Sequence, residues 1–400
     1  MRDKYDVIII GGGVAGTSIA RELSRYEVDT LLLEKNSEIG LGTTSTNMGL
    51  VCQGGDGSAF RPGTLHAELN IKSIPEWPKI ADELNIPFKR IGGINLIRNK
   101  LDYGRALKSL SRSFRSSLEE NAPFYISEKD FKFLQLIDGD MVYDMEPNLV
   151  EGFIGGLYDS NLAVTVPREV AYAYAENAKA NGVEIRLDTE VKGVRREDGY
   201  YILETSDGVY RGRYVINAAG LYADKIADLA GLRTFSFVPL KGVMALLSRE
   251  VGELIKHALV ILPYLEEIPI TKAIIPTVDG RVILGIYLEP SVKGDLTYDE
   301  SMINRLIEIG REFIGDYISR DYIEEVVVGQ MTFTNLETGW YEYVVETPLR
   351  VYNWINIVLG PAGISASPAL AKKVIWILNT SELKLGMKKD FNPRRRVRVR

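Results

Sequence analysis

The sequence predicts an α/β fold: a parallel sheet flanked by helices, joined to a second unit of α+β character built on an antiparallel sheet. Three observations carry that prediction. The chain opens on a strand, a glycine-rich turn, a helix and a second strand in immediate succession. Its 400 residues exceed what one small domain uses. Farther along, Gly93-Ile94-Asn95-Leu96-Ile97, Val243 to Leu247 and Val282-Ile283-Leu284 are short apolar runs suited to antiparallel strands.

Tyr5 to Ile10 is β-branched and continuous, as a strand buried on both faces should be. Gly11, Gly13 and Gly16 then form G-x-G-x-x-G, and Ile19, Ala20 and Leu23 are spaced for a helix packing on a sheet. Thr30 to Leu33 reads as a second buried strand with Glu34 at its end. Each glycine has its own task. Gly11 makes the tight turn, Gly13 lets backbone approach a pyrophosphate, and Gly16 lets helix and strand close together. Thr17 to Tyr26 reads as that helix, and its N-terminus, with Val14 and Ala15 just before it, offers unpaired N–H groups to phosphates. Glu34 can accept both hydroxyls of an adenosine ribose and disfavours a 2′-phosphate. Lys35 stands beside it. A lone glycine motif is an ordinary turn, but strand, helix, strand and acid in register predict a Rossmann-like dinucleotide site. NAD and FAD both fit this segment. Ser301 to Ile318 supplies one further helical face, from Met302 and Ile303 to Phe313 and Ile314.

Composition excludes several classes of function. The chain is 46% hydrophobic and 26% charged, which rules out global disorder. A net charge of −6 leaves no basic footprint for nucleic acid. One cysteine, Cys52, excludes an intrachain disulfide framework, and His66 and His257 stand too far apart for a metal motif, so no metal is expected. Val7 to Ile10 is too short for a signal-peptide core. Val351 to Ala371 is uncharged, but Asn353, Asn356, Gly360, Pro361, Gly363 and Pro368 break it up. It reads as strand, turn and helix, so no membrane span is expected and a cytoplasmic location is. The tail Arg394 to Arg400 reads first as a solvated terminus. The sharper alternative is a peripheral contact with anionic lipid or an acidic partner. Only three glutamines among many Lys, Arg and Glu is a composition of heat-adapted proteins.

Three more stretches bear on the cofactor. Gly42-Thr43-Thr44-Ser45-Thr46-Asn47-Met48-Gly49-Leu50 runs on to Arg61-Pro62-Gly63-Thr64-Leu65. Tyr214 to Asn217 leads into Ala218-Ala219-Gly220-Leu221-Tyr222. Ile355 to Leu359 leads into Gly360-Pro361-Ala362-Gly363-Ile364-Ser365 and a helix. With the N-terminal motif, these resemble the FAD-dependent oxidoreductases of the D-amino-acid-oxidase type. The similarity is greatest to flavin glycerol-3-phosphate dehydrogenases and L-2-hydroxyglutarate dehydrogenases. The resemblance implies FAD as cofactor. It places Thr43, Thr44, Ser45, Asn47, Met48 and Gly49 near the flavin pyrophosphate, and Val191 at the adenine. Ala219 and Gly220 belong to the second nucleotide-domain signature. Gly360, Ala362, Gly363, Ile364 and Ser365 start a helix aimed at the flavin pyrimidine, where a positive dipole end stabilises the charge of reduction. The implied FAD-binding domain is discontinuous, 1–85, 145–228 and 335–400, with 86–144 and 229–334 forming an inserted antiparallel-sheet substrate domain.

The implied chemistry is hydride transfer from a C–H beside O or N to flavin N5. Glycerol 3-phosphate would become dihydroxyacetone phosphate, with electrons passing to a quinone or another carrier. Alternatives are a hydroxy acid or an amino acid of the glycine or proline type, or a non-catalytic electron-relay subunit. An anionic substrate calls for cations. Lys241 in Pro239-Leu240-Lys241-Gly242 matches a family segment and is the first candidate, ahead of Lys272, Arg281, Arg61 and Arg90. A lone Lys or Arg is more often a solvated surface charge. Two positions depart from the pattern. Cys52 stands where close relatives have His, and Val328-Gly329-Gln330-Met331 replaces a Gly-x-Arg-Pro turn. His66, His257, Tyr264 and Tyr287 are alternative bases or orienting groups, though a lone His is more often structural.

Overall fold

The strand Lys4–Ile10 is the centre of the first sheet, and its neighbours explain its composition. It pairs in parallel with Thr30–Leu33 on one side and Gly208–Asn217 on the other. Val7 and Ile9 face one core with Ile19, Leu23 and Leu370. Ile8 and Ile10 face another with Leu31, Leu33, Val215 and Trp354. Both faces are dry from Val7 to Ile10, so no polar residue interrupts that run. The computed structural model describes residues 3–52, 63–104, 106, 107, 110, 134–261, 272–334 and 342–395. The candidates Arg61 and Tyr264, and the segment 53–62, lie outside them.

Glu184–Arg186 extends the parallel sheet beyond Thr30–Leu33. Gly208–Asn217 serves two neighbours. Its first half joins an antiparallel meander, Val191–Glu197 and Tyr200–Thr205, and its last residues pair in parallel with Trp354–Val358. The helices Val14–Leu23, Pro167–Ala180 and Gly363–Thr380 cover one face through a shared apolar core. The uncharged 351–371 stretch thus resolves into strand, turn and helix start, as its glycines and prolines imply. Among the described residues no helix is long and apolar enough to cross a membrane.

The second sheet has eight strands in the order Ile323–Phe333, Val238–Leu247, Val282–Pro290, Ala273–Pro276, Ala258–Ile261, Gly93–Ile97, Gly155–Asp159 and Leu134–Asp138. All pairs are antiparallel except Ala258–Ile261 with Gly93–Ile97. The helix Glu300–Ile314 starts at Asp299, whose carboxylate accepts from the amides of Ser301 and Met302. It lays Ile303, Leu306 and Phe313 on Val243, Leu247 and Leu284. It stops at Gly315, where φ is 58°, short of the expected Ile318. Gly155–Asp159 belongs to this sheet, so segment 145–228 serves both sheets rather than the nucleotide sheet alone. A third sheet of Leu50–Val51, Ala163–Thr165 and Phe88–Arg90 lies between the segments.

The basic tail is not frayed at its beginning. Arg395 pairs with Glu176, and with Glu169 at 3.5 Å, while its amide donates to Glu83 O at 2.9 Å. Asn177 and Asn181 donate to Asn392 O at 3.1 and 2.8 Å. Acidic side chains of Pro167–Ala180 thus hold Arg395, whereas Arg394 stays exposed beside Asp82. Residues 396–400 lie outside the described residues.

Candidate cofactor site

The glycine turn sits at the C-terminal edge of the parallel sheet, where doubly wound folds bind ligands. Gly11 has φ 113°, and a Cβ there would lie 2.4 Å from Ala218 O. A Cβ on Gly16 would lie 1.9 Å from Gly11 O, so this glycine permits the helix to approach the turn. Gly13 differs. Its Cβ would meet only Thr44 Oγ1 at 3.3 Å, and the space beyond belongs to a cleft. The three tasks expected of these glycines are therefore separable by geometry.

The cleft has a volume of about 400 Å³. Glu34 lines it and is buried, with Oε2 accepting from Gly12 N at 2.6 Å and Oε1 from Asn36 N at 2.9 Å. Its carboxylate is thus held by backbone at the end of Thr30–Leu33. Thr44 Oγ1 accepts from Val14 N at 3.1 Å, closing the helix start against the 42–47 loop. Thr43 Oγ1 donates to Gln330 O at 2.7 Å and ties that loop to the second sheet. Gly363 and Ile364 line the opposite wall, following Ala362 in the left-handed region at φ 61°. That helix has no side-chain cap, so its first-turn amides are available to an anion, as are those of Ala15 and Gly16, whereas Val14 N is taken by Thr44.

A dinucleotide fits these features. Two helix starts offer N–H groups and positive dipole ends, Gly13 leaves the space that a side chain would fill, and the Glu34 carboxylate on the cleft wall can accept further hydrogen bonds from hydroxyls. Of the expected residues, Gly11, Gly13, Val14, Ala15, Glu34 and Lys35 line the cleft. So do Thr43, Thr44, Asn47, Val191, Ala219, Gly220, Gly360, Gly363 and Ile364.

The others stand behind the wall. Gly16 packs helix on turn. Ser45 is half-buried and bonds Leu41 O and Gly42 O, ending its own turn. Met48 packs with Leu50, Ile91 and Val164, and Gly49 rests where a Cβ would lie 2.4 Å from Thr165 O. Ala362 forms the left-handed cap. Ser365 is buried, its Oγ accepting from Cys52 N at 2.8 Å and its carbonyl from Trp77 Nε1 at 2.8 Å. Sequence reasoning also missed several lining residues. Tyr222 ends, and Lys225 follows, a motif in which only Ala219 and Gly220 were assigned to the site. Gly294 and Leu296 belong to a loop with no motif at all.

The catalytic candidates are not brought together. Lys241 is 3% exposed and turns to Glu289 at 2.8 Å and Asp295 at 3.1 Å, away from the cleft lining. Strand alternation gives the reason, because Lys241 shares a face with Val243 and Ala245, which lie under the helix Glu300–Ile314. The hydrogen bond to Glu289 raises its pKa, with help from Asp295 and against the effect of burial. Asp295 is held down at about 2 by Thr297, first through its hydroxyl and then its amide, and by Lys241.

Lys272 pairs with Glu312 at 2.6 Å, and Arg281 with Asp279 at 2.8 Å, in both cases outside the cleft lining. Arg90 is exposed on Phe88–Arg90. Cys52 is half-buried beside Ser365. His257 Nδ1 meets Glu146 at 2.7 Å, while His66 is buried with its ring 4.9 Å from that of Tyr343. Tyr287 packs on the core of the second sheet. Gln330 lines the cleft but spends its amide on a loop: Oε1 accepts from Gly294 N, and Nε2 donates to Ser291 Oγ and Val292 O, all at 2.7 Å.

Comparison with known proteins agrees with this geometry. The DAO model, described as FAD dependent oxidoreductase, matches residues 6–375. The chain is 31% identical to a glycerol 3-phosphate dehydrogenase of Caloramator mitchellensis, over 98% of this chain and 78% of that protein. It is 25% identical to a glycerol 3-phosphate oxidase of Mycoplasma genitalium, over 97% of each. Its fold matches the FAD-bound, dithionite-reduced L-α-glycerophosphate oxidase of Mycoplasma pneumoniae with a TM-score of 0.86 and 21% identity, over 98% of both chains. Whole-length similarity and a nucleotide cleft built from the family's own motifs lead to one conclusion: the chain belongs to the DAO family of FAD-dependent oxidoreductases.

Proposed function

We propose that this FAD enzyme is a dehydrogenase for a small anionic alcohol, glycerol 3-phosphate first among them, and that its electrons leave to a quinone or another carrier. The observation that carries the reading is the 31% identity to a glycerol 3-phosphate dehydrogenase over 98% of the chain. Bound flavin supplies the hydride acceptor. The residues that would hold it are those of the glycine turn, the 42–47 loop, Glu34, and the start of Gly363–Thr380. That last helix end favours negative charge beside it. Lys241, Lys272 and Arg281 are committed to carboxylates, so the proposal assigns substrate binding to none of them. A survey of turnover with glycerol 3-phosphate, L-2-hydroxyglutarate, glycine and proline tests the reading. Glycerol 3-phosphate is expected to give the highest kcat/KM, and a preference for any of the other three would replace it.

A further inference from the structure

The 291–298 loop joins the second sheet to the helix Glu300–Ile314, yet two of its residues, Gly294 and Leu296, line the cofactor cleft. From the far side of the same cleft come Tyr222, Lys225 and Ile226, which belong to the first sheet's connections. One ion pair spans the two sides. Lys293 reaches the carboxylate of Asp224, at the start of the helix Ala223–Leu229. Its ammonium lies 4.9 Å from the Phe237 ring centre and 5.8 Å from that of Tyr222. Tyr222 also carries Lys35, at 3.7 Å. Both members of the Lys293–Asp224 pair are mostly covered, with side-chain exposures of 27% and 18%. An ion pair so placed is screened less than one in open solvent.

The loop is also fixed at its base. Gln330 bonds Ser291, Val292 and Gly294. Lys241 holds Asp295 at 3.1 Å, and Asp295 Oδ1 accepts from Thr297 N at 3.0 Å and Thr297 Oγ1 at 2.6 Å. A connection that would otherwise lose conformational freedom on binding is therefore ordered beforehand.

We propose that the 291–298 loop is a preorganised clasp that retains FAD, closed across the cleft by Lys293–Asp224 and held at its base by Lys241 and Gln330. Leu296, 54% exposed, offers apolar surface for the bound cofactor to cover. Lys241 and Gln330 act through the loop and are positioning residues. The proposal rests on FAD as the cofactor and is independent of the substrate.

The test follows FAD release from the holoenzyme after dilution, by recovery of flavin fluorescence, in wild type, Lys293→Ala and the exchange Lys293→Asp with Asp224→Lys. At low ionic strength, Lys293→Ala is expected to release FAD ~5-fold faster, the upper end for a partly exposed pair. The ratio should shrink toward unity at ~1 M salt, where charges are screened within a few ångströms. The exchange should return the rate to within about twofold of wild type if charge pairing is the cause. Equal release rates in wild type and Lys293→Ala at low salt would overturn the clasp. So would a ratio that persists at high salt, or an exchange no better than the single variant. A purified wild type without flavin would instead overturn the cofactor assignment beneath it.

Discussion

At the scale of single residues, Gly13 and Gly16 stand three positions apart and respond to a side chain for different reasons. A Cβ on Gly16 collides with Gly11 O at 1.9 Å, so helix and turn must separate. Gly16→Ala should cost ~2 kcal/mol or more, as overpacking does, and denaturant unfolding measures it. A Cβ on Gly13 meets only Thr44 Oγ1 at 3.3 Å, so the fold tolerates it. Gly13→Val should fold but purify with less than about a tenth of the wild-type flavin absorbance, because its methyls enter the pyrophosphate approach. These roles were legible in the sequence because turn, approach and packing each demand glycine at a fixed spacing. Lys241 was legible in type but not in direction. Its motif suggested a substrate cation, yet its two-residue offset from Val243 places it on the helix-covered face.

At the scale of elements, strands buried on both faces declared themselves as unbroken apolar runs. The helix Gly363–Thr380 declared itself through the Gly-Pro-Ala-Gly turn before it. The 291–298 loop did not, since its placement depends on side chains distant in sequence, Lys241, Asp224 and Gln330. Its order carries a pH dependence. Asp295 is lowered from 3.8 to about 2. A carboxylate whose folded pKa is depressed stabilises the fold fully above its unfolded pKa and loses that contribution as pH falls through the folded one. The contribution should therefore disappear between about pH 4 and pH 2. Asp295→Asn should flatten the pH dependence of unfolding across that window. A variant as acid-sensitive as wild type would remove Asp295 from the account. Lys241 has the opposite sign. Its raised pKa keeps its contribution present below the usual lysine value and lets it fade only as pH rises through the folded value.

At the scale of the whole molecule, two sheets meet at one cleft, and segments remote in sequence converge there. The first strand, the 42–47 loop, Ala218 to Tyr222 and the Gly363 helix contribute from the first sheet's side, and Gly294 and Gln330 from the second's. Ordered motifs spread along the chain made the family and cofactor readable. Segment 145–228 was harder to assign, because the chain crosses between sheets at Gly155–Asp159 with no change in composition. Substrate choice was not readable, because glycine turns and helix starts recognise the cofactor, while Lys241, Lys272 and Arg281, expected to meet the substrate, are paired elsewhere.

An anaerobic absorbance spectrum of the purified protein, before and after glycerol 3-phosphate, shows whether this substrate reduces the flavin. Oxidised-flavin bands should bleach on addition of the substrate, with no oxygen present to return the electrons. Flavin bands that persist with glycerol 3-phosphate and bleach with a hydroxy acid or an amino acid would contradict this expectation.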